Sequence, residues 1–125
     1  MEKTWSSAWK ASTKPRKQRK YRANLPLHLR KKRMQSPLAK ELKKKYNTNA
    51  ATVHQGDTVR VLRGSSKGKT GKVDQVSYTK ECVYITGISV TRKDGTQKPR
   101  GVNPSKILIT ELNLSDKRRE EQLKH

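Results

Sequence analysis

The chain has little of what several protein classes require. It contains one cysteine, Cys82, no phenylalanine, and only 30% hydrophobic residues among 125. A lone cysteine excludes an intramolecular disulfide and a cysteine-rich zinc site, so Cys82 is best interpreted as a small buried residue of a strand. No apolar run approaches the ~18 residues of a membrane helix, and no apolar leader opens the chain. We therefore expect an intracellular protein in a reducing compartment, the cytoplasm.

Acidic residues are scarce as well. The chain has 31 Lys and Arg against 10 Asp and Glu, which gives a formal net charge of +21 and a pI near 10.5. Such a chain repels itself and is stabilised by a polyanion that neutralises it. Sixteen of the cations and only two acids lie in residues 1–55. This distribution predicts a cationic arm followed by a more ordinary domain, with nucleic acid as the partner.

The candidate core lies almost entirely in residues 56–114. Its members are mostly β-branched and recur with a period of two in short segments, such as Val59 with Val61 and Ile107 with Ile109. Short strands at close spacing predict a small β-barrel. The chain is accordingly divided into a basic extension (1–35), a short helix and connector (36–55), the barrel (56–114) and a charged tail or short helix (115–125).

The connector carries a helix signal. Ser36 is a favoured N-cap type and Pro37 a favoured first helical residue, which together predict that a helix begins here. An apolar stripe and a C-terminal stop follow at Leu38, Leu42, Tyr46 and Asn47. We expect the stripe to pack on the barrel.

Two hairpins are predicted inside the barrel. In residues 56–73, valines alternate with basic residues and are interrupted by Gly64, Gly68 and Gly71, which permit a positive φ or close approach of a ligand. Four cations surround this bend: Arg63, Lys67, Lys69 and Lys72. The second hairpin turns at Asp94-Gly95, a pair typical of a type I′ turn, and forms a ribbon that carries Arg92, Lys93, Lys98 and Arg100.

The arm holds two further basic clusters. Residues 14–22 contain six cations around Tyr21, a pattern typical both of a nuclear-import signal and of an arm that follows phosphates. A second basic cluster at 30–33 favours the interpretation as an arm that follows phosphates over that as a nuclear-import signal. The predicted RNA-binding residues of the arm are Lys14, Arg16, Lys17, Arg19, Lys20, Tyr21, Arg22, Arg30, Lys31, Lys32 and Arg33. Trp5 and Trp9 are equally compatible with base stacking and with packing of a frayed terminus.

The glycine hairpin resembles a known motif. The pattern Gly56-Asp57-x-Val59-x-Val61-x-x-Gly64-x-x-Lys67-Gly68-x-x-Gly71-x-Val73 is similar to the KOW motif of ribosomal proteins and transcription-elongation factors. With the basic arm and Asn103-Pro104-Ser105-Lys106 before the last strand, residues 14–115 resemble the large-subunit ribosomal protein family numbered twenty-four in the universal scheme and twenty-six in eukaryotes. The long extension before the hairpin resembles archaeal and eukaryotic members, and the short C-terminus favours an archaeal form.

The resemblance implies a fold and a function. It implies a mainly β protein built on an SH3-like barrel, which binds large-subunit ribosomal RNA early in assembly and lies near the peptide exit tunnel beside other ribosomal proteins. It also implies an RNA role for the motif residues Arg63, Lys67, Gly68, Lys69 and Lys72. The other basic residues are assigned from their own chemistry, mainly as contacts to phosphates and 2′-hydroxyls.

Other functions fit the residues less well. A KOW-type elongation factor would carry a further domain before the hairpin, and an architectural DNA-binding protein would show a dimerisation surface or an apolar wedge. An enzyme is disfavoured because residues 64–70 resemble a phosphate-binding loop but place only three residues between the glycines instead of four. We expect no metal, cofactor or small-molecule substrate.

Overall fold

The computed structural model describes residues 4–124, and that part of the chain is mainly β. It contains seven strands and four α-helices. The strands are β1 (Gln35–Pro37), β2 (Ala50–Thr52), β3 (Thr58–Val61), β4 (Thr70–Ser77), β5 (Cys82–Thr91), β6 (Gln97–Val102) and β7 (Ile107–Glu111). The helices are α1 (Pro15–Ala23), α2 (Leu27–Arg30), α3 (Lys40–Tyr46) and α4 (Lys117–Lys124). None of these helices has the length and apolar character needed to cross a bilayer.

Five of the strands form one antiparallel sheet. Its order is β6-β5-β4-β3-β7, while β1 and β2 pair separately. The register shifts between Thr58 and Val59, between Val73 and Gln75, and between Tyr84 and Ser89. Such irregularities bend and twist a sheet. In the described chain no pairing joins the edge strands β6 and β7, so the closed SH3-like barrel stays a prediction.

The core lies against this sheet and confirms the period-two pattern. Val59 and Val61 of β3 and Ile107 and Ile109 of β7 are all at most 2% exposed. The core also takes in residues from outside 56–114, and these are Met34, Leu38, Ala51, Val53 and Leu123. The residues around the predicted barrel therefore complete its hydrophobic interior.

The predicted start of the helix at Ser36 is wrong. Ser36 and Pro37 belong to β1, and α3 begins at Lys40 after Ala39. Because β1 pairs with β2 and the buried Ser36 hydroxyl donates to the Pro104 carbonyl at 2.7 Å, tertiary contacts override the local capping signal. Leu38 also lies before α3 and bridges to Ile109, so the helical part of the stripe is Leu42 and Tyr46. The expected packing and the helix stop are confirmed. Leu38, Leu42 and Tyr46 all pack on the core, and Asn47 ends α3 with φ of 54°.

The predicted type I′ turn at Asp94-Gly95 is also wrong. Only Gly95 has a positive φ, of 91°. The Gly95 amide donates to the Arg92 carbonyl at 3.0 Å, and the Arg92 amide donates to the Thr96 carbonyl at 2.8 Å. This is a three-residue loop in which a turn is followed by a left-handed glycine, the next most common hairpin connection. The Asp94 carboxylate stabilises it by accepting from the Thr96 hydroxyl and amide, which lowers the pKa of Asp94.

The C-terminal segment is a docked helix. The Asp116 carboxylate accepts from the Arg118 amide at 3.0 Å and caps the start of α4. Leu123 packs in the core, and Arg119 is 5% exposed and pairs with Asp57. An exposed bridge joins Lys124 to Glu120 at 3.1 Å. The segment predicted as a charged tail or short helix is thus a helix that helps to enclose the interior.

Candidate RNA interface

The loop between β3 and β4 exposes backbone and cations together. It spans residues 62–69, and two hydrogen bonds between Val61 and residues 68–69 close it. Gly64 and Gly68 have φ of 95° and 86°, and a Cβ added at either would meet nothing within 4 Å. Positive φ favours glycine, and the open space lets a ligand approach the main chain. The predicted cations of this hairpin, Arg63, Lys67, Lys69 and Lys72, are all exposed around it.

Two arginines fix this loop against neighbouring elements. Arg63 donates to the Ser105 carbonyl at 3.0 Å, and Arg100 of β6 donates to the Ser65 hydroxyl at 2.7 Å. Both arginines line a shallow depression of about 50 Å³ together with Lys106. The structure therefore joins the glycine hairpin and the base of the ribbon into one cationic surface. Lys106 was not predicted as a binding residue because it stands alone in the sequence, at the end of the 3₁₀ turn Pro104–Lys106, outside any basic cluster.

The ribbon formed by β5 and β6 carries the second group of cations. All residues from 91 to 100 are exposed, including Arg92, Lys93 and Lys98. The ribbon is held in shape by hydrogen bonds from Ser89 to Gln97 at 2.6 Å and from Gln97 to Thr91 at 3.0 Å. These bonds use uncharged groups only. The side chains of Arg92, Lys93 and Lys98 hold no hydrogen bond or ion pair within residues 4–124.

The first arm cluster lies on helix α1 and on Lys14, which directly precedes it. Its basic residues Lys14, Arg16, Lys17, Arg19, Lys20 and Arg22 are exposed and form no hydrogen bond through their side chains to the described residues. Tyr21 is half-buried against Trp5, with ring centroids 5.5 Å apart and planes tilted by 40°. The arm therefore presents its charges from a helix that is already formed, with one aromatic ring fixed among them.

The second arm cluster is fastened to the sheet. Arg30 donates to the carbonyls of Leu25, Thr79 and Ala23 at 2.9, 2.7 and 2.6 Å, so its guanidinium already bridges the arm and the β4–β5 turn. Arg33 pairs with Glu81 at 3.0 Å, and Lys31 lies 5.6 Å from the centre of the Tyr78 ring. Lys32 is exposed. These contacts favour an anchoring role for Arg30, whereas an RNA contact of this cluster stays a prediction.

Comparison with known proteins places this chain in a family. A family model that describes the eukaryotic L26 and the archaeal L24 ribosomal proteins matches residues 12–125. Two similar proteins, both called large ribosomal subunit protein uL24, come from Methanospirillum hungatei and Methanosarcina barkeri. The first is 48% identical over 112 residues, which cover 90% of this chain and 93% of the relative. The second is 47% identical over 113 residues, which cover 90% of this chain and 97% of the relative. The chain belongs to this ribosomal protein family.

The family match covers most of the candidate interface. It includes the cationic helix α1, both hairpins and the C-terminal helix, and the two similar proteins support the archaeal type. Trp5 and Trp9 precede the matched residues, so the family says nothing about them. Among residues 4–124, no three His, Cys, Asp or Glu side chains are grouped as a metal site.

Proposed function

We propose that this chain binds large-subunit ribosomal RNA as a structural constituent of that subunit. Its family consists of ribosomal proteins, which gives it a structural rather than catalytic role in the ribosome, and thus a place in the cytoplasm. The similar archaeal proteins are named for the large subunit. The RNA contact itself is our extension of that membership.

The observation that carries the proposal is the set of exposed cations that have no acidic partner among the described residues. Among residues 4–124, none of the three salt bridges involves a basic side chain of the glycine hairpin, the ribbon or α1. Cations without acidic partners repel one another, which makes folding less favourable. A polyanion that binds them removes this repulsion. A phosphate backbone fits them better than an acidic protein, because they extend from α1 to the surface that the glycine hairpin and the ribbon share.

Recognition on such surfaces would depend on shape. Lysine and arginine on loops and a helix reach phosphates and 2′-hydroxyls, whereas side chains cannot enter the deep major groove of A-form RNA. The open space at Gly64 and Gly68 supports close approach of a phosphate to the main chain. Specificity would then come from fitting the loop, the ribbon and the arm to one folded junction.

We extend the proposal to assembly and position. The resemblance implies an SH3-like barrel whose loops and leading arm contact ribosomal RNA. It also implies that the protein joins the subunit early and lies near the peptide exit tunnel. Neighbouring large-subunit proteins are then the further partners. The anchored arm supports this interpretation, because a preformed arm orders less chain when it binds and thus loses less entropy.

The test is binding to large-subunit ribosomal RNA compared with duplex DNA at matched salt. We expect the protein to protect defined RNA sites and to co-sediment with the large subunit in high-salt sucrose gradients. A variant with Lys67, Lys69 and Lys72 all changed to Gln should lose the protection of RNA sites and the co-sedimentation. The same three residues changed to Arg should keep both properties, because Arg retains the charge. Equal affinity for DNA and absence from the subunit would contradict the proposal.

A further inference from the structure

A groove lies between the N-terminal tryptophan segment and helix α1. Its volume is about 460 Å³, in the range of sites for small organic groups. The lining residues used below are Trp9, Lys14, Lys17, Lys20 and Tyr21. Trp9 is 46% exposed, so part of its indole is open to a ligand in the groove.

The walls of this groove are held in place. Residues Ser7–Ala11 form a 3₁₀ turn, and the Gln18 side chain of α1 donates to the Ser12 carbonyl at 3.2 Å. Trp5 packs on Tyr21 with ring centroids 5.5 Å apart. The tryptophan segment is therefore fastened to α1 instead of fraying away from it, and Tyr21 is fixed before any ligand arrives.

The groove combines aromatic faces with charge of one sign. Lys17 and Lys20 are three residues apart on α1, which places them on neighbouring positions of one helix face, and Lys14 directly before α1 lines the same groove. None of the described residues that line the groove is acidic. An occupant that suits it has a flat apolar face beside an anionic group, which is the chemistry of a nucleotide.

We infer that this groove binds one unpaired nucleotide of RNA, whose base stacks on Trp9 and whose phosphates contact Lys17 and Lys20. The inference rests on the proposed function and names a stacking site for it. Base-to-aromatic stacking is independent of sequence and requires a base that is not paired in a helix. A duplex offers only phosphates to this groove, so the aromatic ring discriminates single-stranded from paired RNA.

Tryptophan fluorescence reports on the groove directly, because Trp5 and Trp9 are the two tryptophans of the chain. In the Trp5→Phe variant all tryptophan emission comes from Trp9. We expect a short oligoadenylate to quench this emission strongly, and an RNA duplex with the same number of phosphates to leave it nearly unchanged while still binding in an anisotropy assay. Equal quenching by both RNAs, or none by bound oligoadenylate, would overturn the inference.

Affinity gives a second readout with a matched control. Trp9→Ala should weaken oligoadenylate binding about tenfold, and Trp9→Phe should keep most of the affinity because it retains an aromatic face. Leu27→Ala removes another exposed apolar residue, 53% exposed and outside the groove, and should have no effect. A loss of affinity in the Leu27 variant equal to that of Trp9→Ala would argue against stacking.

The same variants on large-subunit RNA separate this inference from the proposed function. Wild-type protein that fails to bind this RNA selectively would overturn both. If wild type binds and Trp9→Ala leaves affinity and base reactivity unchanged, only the stacking site is wrong. We expect Trp9→Ala to expose one or a few unpaired bases to a base-modifying reagent, and Trp9→Phe to keep them protected.

Discussion

At the scale of single residues, Asp57 and Arg119 form a buried ion pair across 62 positions of sequence. The carboxylate is fully buried and the two guanidinium nitrogens donate to its oxygens at 2.5 and 2.6 Å. Arg119 also donates to the carbonyls of Thr52 and Asn113, and Asp57 accepts from the His54 and Asn113 amides. Every charged group in this cluster is therefore paired, as burial requires.

Replacing Arg119 by methionine should destabilise the protein strongly. The variant leaves the Asp57 carboxylate buried without its counter-charge, and breaking such a pair costs about 3–5 kcal/mol of unfolding free energy. Urea unfolding followed by circular dichroism measures this difference. Arg118→Met removes an exposed arginine one position away and should change stability by about 0.5 kcal/mol or less. A similar loss of unfolding free energy in the two variants would show that the buried ion pair contributes no more to stability than an exposed arginine does.

Gly68 is the second residue with a specific prediction. Because its φ is 86°, a β-branched side chain is strained there, and Gly68→Val should lower the free energy of unfolding by about 1–3 kcal/mol. Asparagine tolerates this backbone region better, so Gly68→Asn should fold with a smaller loss. If RNA approaches the main chain here, the asparagine variant will be folded and yet bind ribosomal RNA more weakly. Full affinity in both variants would show that Gly68 is only a spacer.

At the scale of elements, the arm consists of two parts with different physical roles. Its second part is built into the fold, because Leu25 and Met34 are buried and Arg30 bridges to the β4–β5 turn. Its first part, residues 4–22, presents exposed cations on a short helix. A deletion of residues 1–35 would therefore remove core residues as well as charge. Removal of residues 1–22 takes away the exposed cations together with the groove of Trp9 and Tyr21, and leaves Leu25, Arg30 and Met34 in place.

Deleting residues 1–22 should flatten the salt dependence of RNA binding. The deletion removes eight Lys and Arg, and every phosphate that is no longer neutralised lowers the slope of log affinity against log salt by about 0.7–0.9. The measurement is filter binding over a series of KCl concentrations. As a control, full-length protein with Lys14, Lys17 and Lys20 changed to Arg should keep the wild-type slope. An unchanged slope after deletion would remove the first part of the arm from the interface.

At the scale of the whole molecule, the net charge of +21 opposes folding. The described chain contains three salt bridges, of which only that between Asp57 and Arg119 is buried. The remaining cations repel one another through solvent, where salt screens them within about 10 Å at 0.1 M. The free protein is thus destabilised by the same charges that we propose for binding RNA.

Adding KCl should therefore stabilise the free protein while it weakens RNA binding. We expect the urea midpoint to rise with KCl concentration, because screening reduces the repulsion among cations. The variant lacking residues 1–22 has a net charge of +14 and should show a smaller rise. A midpoint that falls with salt, or an equal rise in both proteins, would show that self-repulsion does not limit stability.

The sequence by itself determined the features that depend on neighbouring residues and on composition. The period of two located the core strands, the glycines at 64 and 68 have the positive φ that their turn requires, and Asn47 ends its helix in the left-handed region. The division into a cationic arm and a more neutral domain follows from counting charges. Such features are local because sterics and side-chain alternation act within a few residues.

Tertiary structure alone decided the features that depend on distant partners. Ser36 lies in a strand because β2 and Pro104 satisfy its polar groups, which no local capping preference can anticipate. Arg119 resembles the other basic residues of its segment and is identified as an interior residue only by its pairing with Asp57. Trp9 and the α1 lysines line one groove because the chain folds back there. The physical reason is that burial and pairing depend on which segments meet in space.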